Sequence, residues 1–442
     1  MEEIIFDGLR GLDEQVRVTV FPKEGPPQVF FQIASTRDFA GLCLGRPVEE
    51  VPRILTILAP AHHLASALTL DNLFGVEPPL MAVNMREALR QTLFFENHLR
   101  KFYFFISAGL NPFWPSSSQG QRTQEDHSSP YILDEIMGHI ALAQDAVSIL
   151  GGRSDHPLSA VPGGVSRYLP KEENFDRLLQ IAKSCLDFSQ KLGKYLHLHL
   201  MNHDGLWAQL REIALPPFSF LGLEDSSKKI FLKDGVGPTA DTFSADKLLD
   251  KIGLRREPWS YESFAFLKNM SGGVKLKELI GLDDLDYDQC FLVGPLARFN
   301  QNGPLTPLAE EERQWFLQNS GSLPRFDLPA AYWSLFLEVL EVAEKMADLF
   351  QKEKLLGPET RNIPSAMGRE GRAVLESPRG LLYHHYIVDK KGLVEDISVL
   401  DTATLNNALR SLIAQKTAEI ALTRNTPTGE MRQLLELGLL PF

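Results

Sequence analysis

Residues 376–394 read ESPRGLLYHHYIVDKKGLV. The apolar run in this stretch, with the residues just before it, predicts a strand pair over 372–388. Neighbouring strand residues point to opposite faces, so at most one of His384 and His385 can serve a given pocket. Downstream, 403–421 reads as a helix. Upstream, 329–353 carries Tyr332, Leu335, Phe336, Val339, Leu340, Val342, Ala343, Met346 and Leu349 on one broad helical face. The middle, 215–305, is rich in Gly, Pro and Asp with short apolar runs such as KKIFLKDG, and reads as small strands and turns.

The first half of the chain is helical. Helical spacing covers 53–74, ending at Gly75 with Pro78 and Pro79 beyond it. It continues over 83–108, over 131–150 up to Gly151-Gly152, and over 172–201. The polar stretch 109–129 reads as a loop, and VRVTVFPKEGPPQVFFQI, residues 16–33, as a β-hairpin around a GPP turn. The expected fold class is α+β: a central bundle of long helices with β-containing lobes at its periphery.

The chain has 442 residues, a formal charge of −12, 44% hydrophobic and 23% charged residues. That balance supports a large core and excludes a disordered protein or a disulfide-stapled miniprotein. The acidic excess argues against sequence-independent nucleic-acid binding. Cys43, Cys185 and Cys290 lie far apart with no C-x-x-C, which excludes a metal site built on paired thiolates. MEEIIFDGLR lacks the basic and apolar parts of a secretory signal, and no apolar run reaches the roughly 18 residues of a transmembrane span. A reducing, cytoplasmic compartment is the expectation.

Several clusters invite a chemical reading. His197, His199 and His203 could suggest a metal site, but residues two apart on a helix point about 200° apart. A polar helix end is the plainer reading. Asp283, Asp284, Asp286 and Asp288 crowd one loop without the Gly and distal Glu of a calcium loop. GGVSR (163–167) and GVGP (235–238) are Gly-containing turns, with no Lys-Ser/Thr at P-loop spacing. His62-His63 opens a helical stretch and, like His384-His385, could supply an acid or base.

Four blocks carry a family resemblance. ILGGRSDHPLSAVPGGVSRYL (149–169) resembles the G-G-R-x-x-H-P-x-x-x-x-P-G-G-V block of [NiFe]-hydrogenase large subunits. ESPRGLLYHHYIVDKKGLV resembles their E-x-P-R-G-x-L-x-H segment, particularly that of the cytoplasmic, cofactor-coupled group. RDFAGLCLGRPVEEVPRILTILAPAHHLASAL (37–68) is similar to an R-G-x-E segment running into R-x-C-G-x-C-x-x-x-H, and HLRKFYFF (98–105) to an H-x-x-H-F-Y helix. The resemblance implies one composite large-subunit fold over 1–442. Its parts are an N-terminal β region (1–36), a first helical part (37–210), an irregular α/β insertion (211–305) and C-terminal helices with a β-hairpin (306–442).

The resemblance also implies a nickel–iron centre held by four thiolates, and here the chain departs from the pattern. The N-terminal thiolate positions match Leu55 and Leu58. TPTGEM, aligned with D-P-C-x-x-C, puts Thr428 and Met431 at the other two. The magnesium-binding Glu of R-G-x-E matches Ala40, no matching C-terminal histidine is present before GLLPF, and the hydroxyl of the P-T/S-x-W-N segment becomes Ala403 in TATLN. The proton-transfer Glu has Asp13 or Glu14 as its nearest candidates. Pro378, Arg379, His62 and His384 survive as a residual pocket. Soft thiolates are what such a centre requires, so the chain is expected to hold no metal or cofactor itself.

The expected role is that of a catalytically degenerate, structural or interaction subunit of a redox complex. Its partner would be a hydrogenase-small-subunit-like iron–sulfur protein, with further electron-transfer subunits beyond. One alternative is a maturation scaffold for the iron–cyanide–carbonyl unit, with Cys43 the cysteine nearest the altered motif. Another is a quinone-type site like that of the related complex I subunit, which keeps a PRG segment.

Overall fold

The structure is a computed structural model that describes residues 2–34, 39–110, 129–166, 172–199, 204–213, 215, 217–224, 229–235, 240–268 and 289–442. Alternation in the N-terminal region produces the expected hairpin of β2 (Val16–Lys23) and β3 (Gly25–Ile33), and β1 (Ile4–Asp7) adds a third antiparallel strand. Val16, Val18, Val20, Val29, Phe31 and Ile33 are its buried face.

The helical stretch expected over 53–74 divides in two. A short helix α1 (Phe39–Cys43) precedes α2 (Val51–Leu55); the chain then turns at Thr56–Leu58, and α3 (Pro60–Phe74) begins anew. Proline is the reason. It disfavours helical backbone at the residue before it, and Ala59 is extended at φ −166°, ψ 152°. At the other end Gly75 takes φ +57° and closes α3 with a left-handed cap, as its position in the sequence suggests.

The long helices α4 (Leu80–Phe105), α5 (Ser129–Gly151) and α6 (Glu172–His199) form the bundle around the helix Leu328–Leu349, which packs against α4 and α6. That helix is more deeply placed than its one-sided pattern predicts. Every residue from Leu328 to Leu340 is buried, because Ala330, Ala331, Trp333 and Leu337 extend the apolar surface around the cylinder. Asp327 caps it, accepting a hydrogen bond from the Ala330 N–H at 3.0 Å.

Asp71 of α3 and Arg86 of α4 form a buried ion pair that also holds the small hairpin of β4 (Ala160–Val161) and β5 (Gly164–Val165). Asp71 accepts from the Gly163 N–H at 2.7 Å, and Arg86 donates to the carbonyls of Val161 and Gly164. The described part of GGVSR is therefore a structural turn; Arg167 lies outside the described residues.

The middle supplies β6 (Ser219–Leu223), β7 (Ile230–Lys233), β8 (Ala240–Phe243), β9 (Ile252–Arg255), β10 (Phe264–Leu267) and β11 (Phe291–Leu292), in sheets ordered β11-β6-β7-β8 and β10-β9. The acidic run Asp283–Asp288 and residues 236–238 of GVGP lie outside the described residues. The strand pair expected at 372–388 is a three-stranded antiparallel sheet: β12 (Glu370–Glu376), β13 (Leu381–Val388) and β14 (Val394–Leu400). It packs against α3. The helices Thr402–Leu405, Asn407–Thr423 and Thr428–Leu439 end the chain. Among the described residues no helix is long and apolar enough to cross a membrane.

Candidate functional site

Packing α3 on the β12–β14 sheet brings the N-terminus of that helix against the tight Ser377–Gly380 turn joining β12 to β13. The Ser377 N–H donates to the Gly380 carbonyl at 2.9 Å, so Pro378 and Arg379 are the two residues of the turn tip. Gly380 (φ +145°) and Gly294 (φ +105°) meet backbone to backbone behind it. A methyl group on Gly294 would come within 2.3 Å of the Arg379 carbonyl oxygen, so the turn can lie there only against glycine.

A cavity of about 300 Å³ opens between the start of α3, the face of α4 around Leu93 and Asn97, and the turn carrying Pro378 and Arg379. Leu58, His62, Pro378 and Arg379 all line it. The Arg379 guanidinium donates from Nη1 to Glu14 Oε1 at 2.6 Å, and its Nε stands 3.6 Å from Asp13. Arg410, nearly fully buried over the Phe31 ring, donates to the other Glu14 oxygen at 2.9 Å. Burial alone would push the Glu14 carboxyl up; the two guanidiniums outweigh it and hold the group at about 2. Lys101 completes the cluster, donating to the Leu440 carbonyl at 2.7 Å, and burial lowers its ammonium to about 8.

Behind the cavity wall lies a buried polar chain. His62 Nδ1 and His384 Nε2 are 3.0 Å apart, His384 Nδ1 lies 2.6 Å from the Tyr386 hydroxyl, and that hydroxyl is 2.9 Å from Ser66 Oγ. Burial holds the His62 imidazole at about 3, helped by Arg379, and pushes His384 well below the usual histidine range. Both rings are therefore neutral, and the protons between them can run in either direction. Asp401 stands with Oδ2 3.9 Å from His62 Nε2 and caps the helix Thr402–Leu405. Burial raises its carboxyl, against the opposing pull of Arg379.

The paired histidines separate as strand and helix geometry requires. His63 accepts from the Ala160 N–H at 3.0 Å, and His385 sits beside Glu370 at 3.0 Å on the other face of the sheet. His197 is held by Glu312 and packs on Trp315 with ring centroids 3.8 Å apart; His203 and the His199 side chain lie outside the described residues. His98, from the HLRKFYFF block, is bonded at 2.7 Å to Glu338, which also pairs with Arg298.

The four positions aligned with thiolates do not converge on this cavity. Leu58 lines it and also packs against the cluster in which Leu55 is buried with Cys43, Leu70 and Tyr386. Thr428 is exposed in the first turn of the last helix, and Met431 faces the main core. TPTGEM starts a helix anchored in that core through Leu437, whose carbonyl accepts from the Tyr332 hydroxyl at 2.6 Å. Ala40 and Ala403 are not among the cavity-lining residues. Arg410, Lys101, Asn97 and Asp401 join the site with no signal in spacing or periodicity.

No protein-family model matches the chain. It is 26% identical to an F420-non-reducing hydrogenase iron-sulfur subunit of Archaeoglobus profundus over 100% of this chain and 93% of that one. It is 27% identical to a vhu F420-non-reducing hydrogenase subunit of Methanocaldococcus jannaschii over 95% of this chain and 99% of the relative. Among solved structures, an NAD+-reducing [NiFe]-hydrogenase in the H2-reduced state superposes with a TM-score of 0.83 at 24% identity, covering 100% of this chain and 97% of that chain. The chain resembles [NiFe]-hydrogenase large subunits from end to end and has their fold.

That fold implies a nickel–iron centre, and the donor set does not fit one. No cysteine lines the cavity; Cys43, Cys185 and Cys290 are buried elsewhere, and burial pushes the Cys185 thiol up to about 12. The polar lining consists of carboxylates, guanidiniums, an imidazole, an amide and two hydroxyls, where the centre needs soft thiolates. Among the described residues no group of three or more His, Cys, Asp or Glu side chains is placed to hold a metal ion.

Proposed function

We propose that this hydrogenase-like chain is a catalytically degenerate large subunit, with a structural and interaction role in a redox complex that includes an iron–sulfur small subunit. The observation that carries the reading is the composition of the cavity wall. Where the family's thiolate block runs, this chain presents Leu58, Ala59 and Pro60, and the neighbouring thiolate position is filled by the core residue Leu55. The surrounding scaffold is intact enough to keep the large-subunit fold over its whole length. Retention of the fold with a different donor set is what a chain kept for its contacts would show.

The maturation-scaffold alternative draws less support. Its nearest thiol, Cys43, is fully buried and donates to the Phe39 carbonyl at 3.3 Å, away from the cavity lining.

Purification from the native source tests the reading. The expected result is co-purification with an iron–sulfur protein in fixed ratio, and no nickel in this chain on metal analysis. Isolation as a partner-free monomer would count against the proposed role, and stoichiometric nickel would overturn it. Cyanide and carbonyl stretches in the infrared spectrum would move the assignment to the scaffold alternative.

A further inference from the structure

The cavity is more than a filled vacancy: its walls carry the parts of an anion site. The first is the start of α3. This helix is 15 residues long, its N-cap Ala59 supplies no side-chain cap, and Ala59, Pro60, Ala61 and His62 all face the cavity. Pro60 has no N–H and the His62 N–H donates to the Ala59 carbonyl at 3.0 Å, so the start of α3 offers the Ala61 N–H and the positive end of the helix dipole. The second is the Arg379 guanidinium, held in place through Nη1 by Glu14 and only partly enclosed.

A third part points independently to a ligand. His62 is fully buried, yet its Nε2 has no hydrogen-bond partner among the described residues, and the Asp401 oxygen at 3.9 Å is too far to provide one. Asn97 Oδ1, on the α4 side of the same cavity, is likewise buried without a partner among the described residues. An orphaned buried polar atom costs about 1–3 kcal/mol, and of the two the His62 nitrogen is the one a carboxylate can satisfy, since Asn97 Oδ1 is itself an acceptor. The polar chain behind His62 can supply a donor there. If the single Tyr386 proton goes to His384 Nδ1 at 2.6 Å and Ser66 donates to the tyrosine oxygen in turn, then His384 Nε2–H donates to His62 Nδ1, and the His62 proton sits on Nε2.

The remaining lining sets the size and charge of the occupant. Leu58, Leu93, Pro378 and Leu382 give an apolar surface, and the volume is at the small end of the range for ligand pockets. Asp13 lies beside Arg379, and Asp155 and Glu96 also line the cavity, the latter paired with Arg100 at 2.7 Å. These carboxylates disfavour a second negative charge. We propose that the cavity between α3, α4 and the Pro378–Arg379 turn binds a small monocarboxylate, its carboxylate taken by Arg379, His62 Nε2–H and the start of α3, its hydrocarbon part against the leucines. The inference goes beyond the proposed role in a redox complex and does not depend on a partner.

Calorimetric titration of the full chain with butyrate, its neutral isostere butyramide and inorganic phosphate tests it. Butyrate should bind at one site per chain, at least about tenfold more tightly than butyramide, because charge-assisted bonds to guanidinium are the stronger class. Phosphate should bind more weakly than butyrate. Arg379→Gln should abolish the preference for butyrate; since that change also frees Glu14, Asn97→Asp provides a second variant and should weaken butyrate about tenfold while the circular dichroism spectrum stays that of the parent chain. In 15N spectra of histidine-labelled protein, His62 Nε2 should carry its proton before and after butyrate is added and its signal should shift on binding, while His385 stays unmoved. Equal affinity for butyrate and butyramide, absence of saturable binding, tighter binding of phosphate, or indifference to Asn97→Asp would each overturn the proposal.

Discussion

His62 Nδ1 lies 3.0 Å from His384 Nε2 in a site where neither imidazole carries a charge. The pair makes the fold acid-sensitive in a defined direction. Each ring binds a proton readily when the chain unfolds, with an ordinary value near 6.5, and resists it when folded, His62 down to about 3. The unfolded state therefore binds more protons below about pH 6.5, and stability is lost as pH falls from there toward 3, by up to about 1.4 kcal/mol per pH unit for each ring. Urea unfolding between pH 7 and 5 should show this slope, and the double variant His62→Gln, His384→Gln should flatten it. A slope unchanged in the double variant would place the sensitivity elsewhere, His63 being the next candidate, held near 4 chiefly by burial.

Glu14 is the carboxylate that bridges Arg379 and the buried Arg410. Glu14→Gln leaves Arg410 without this carboxylate and Arg379 with Asp13 at 3.6 Å, and breaking a buried pair in this way costs about 3–5 kcal/mol. The midpoint of urea unfolding should fall accordingly. A loss under about 1 kcal/mol would mean that the cations are solvated from the cavity instead.

Gly294→Ala combines an unfavourable positive φ with a methyl group driven into the Arg379 carbonyl. The backbone conformation alone costs about 1–3 kcal/mol, and the clash adds to it by shifting the turn. Gly303→Ala is the control, since the nearest atom lies 4.0 Å from its added methyl. Thermal melts should drop for the first and stay level for the second.

Leu55 and Leu58, which the sequence resemblance matches to thiolate positions, should respond differently to truncation. Leu55→Ala empties a closed cluster and should cost about 2–5 kcal/mol. Leu58→Ala widens an existing cavity and removes contacts at the edge of the same cluster from a half-buried side chain, and should cost less, about 1 kcal/mol. Equal losses from chemical denaturation would show that the cavity is closed on the Leu58 side.

Much of the architecture follows from local rules that act within a few residues. Gly75 ends α3, the Val and Phe alternation builds the first hairpin, and the apolar stripe of 329–353 identifies the central helix. Local rules fail where two signals compete. The helical spacing over 53–74 hides the break before Pro60, and that break is what exposes the start of α3 to the cavity. Motif length is likewise silent on packing: TPTGEM has the length of a ligand segment, and Met431 packs into the main core and is not among the residues lining the cavity with Leu58.

By itself, the amino-acid sequence determines that the large-subunit blocks are present and that no cysteine pair accompanies them, since residue identity and spacing are written in the chain. It also determines that His384 and His385 face apart, because strand periodicity is local. Only the tertiary structure decides that His384 meets His62, 322 residues away, and that Glu14 bridges Arg379 and Arg410 across separations of 365 and 396. Those partners are chosen by how α3 packs on the sheet and how the N-terminal region folds against the last helices, and no local preference of any one residue encodes such a meeting.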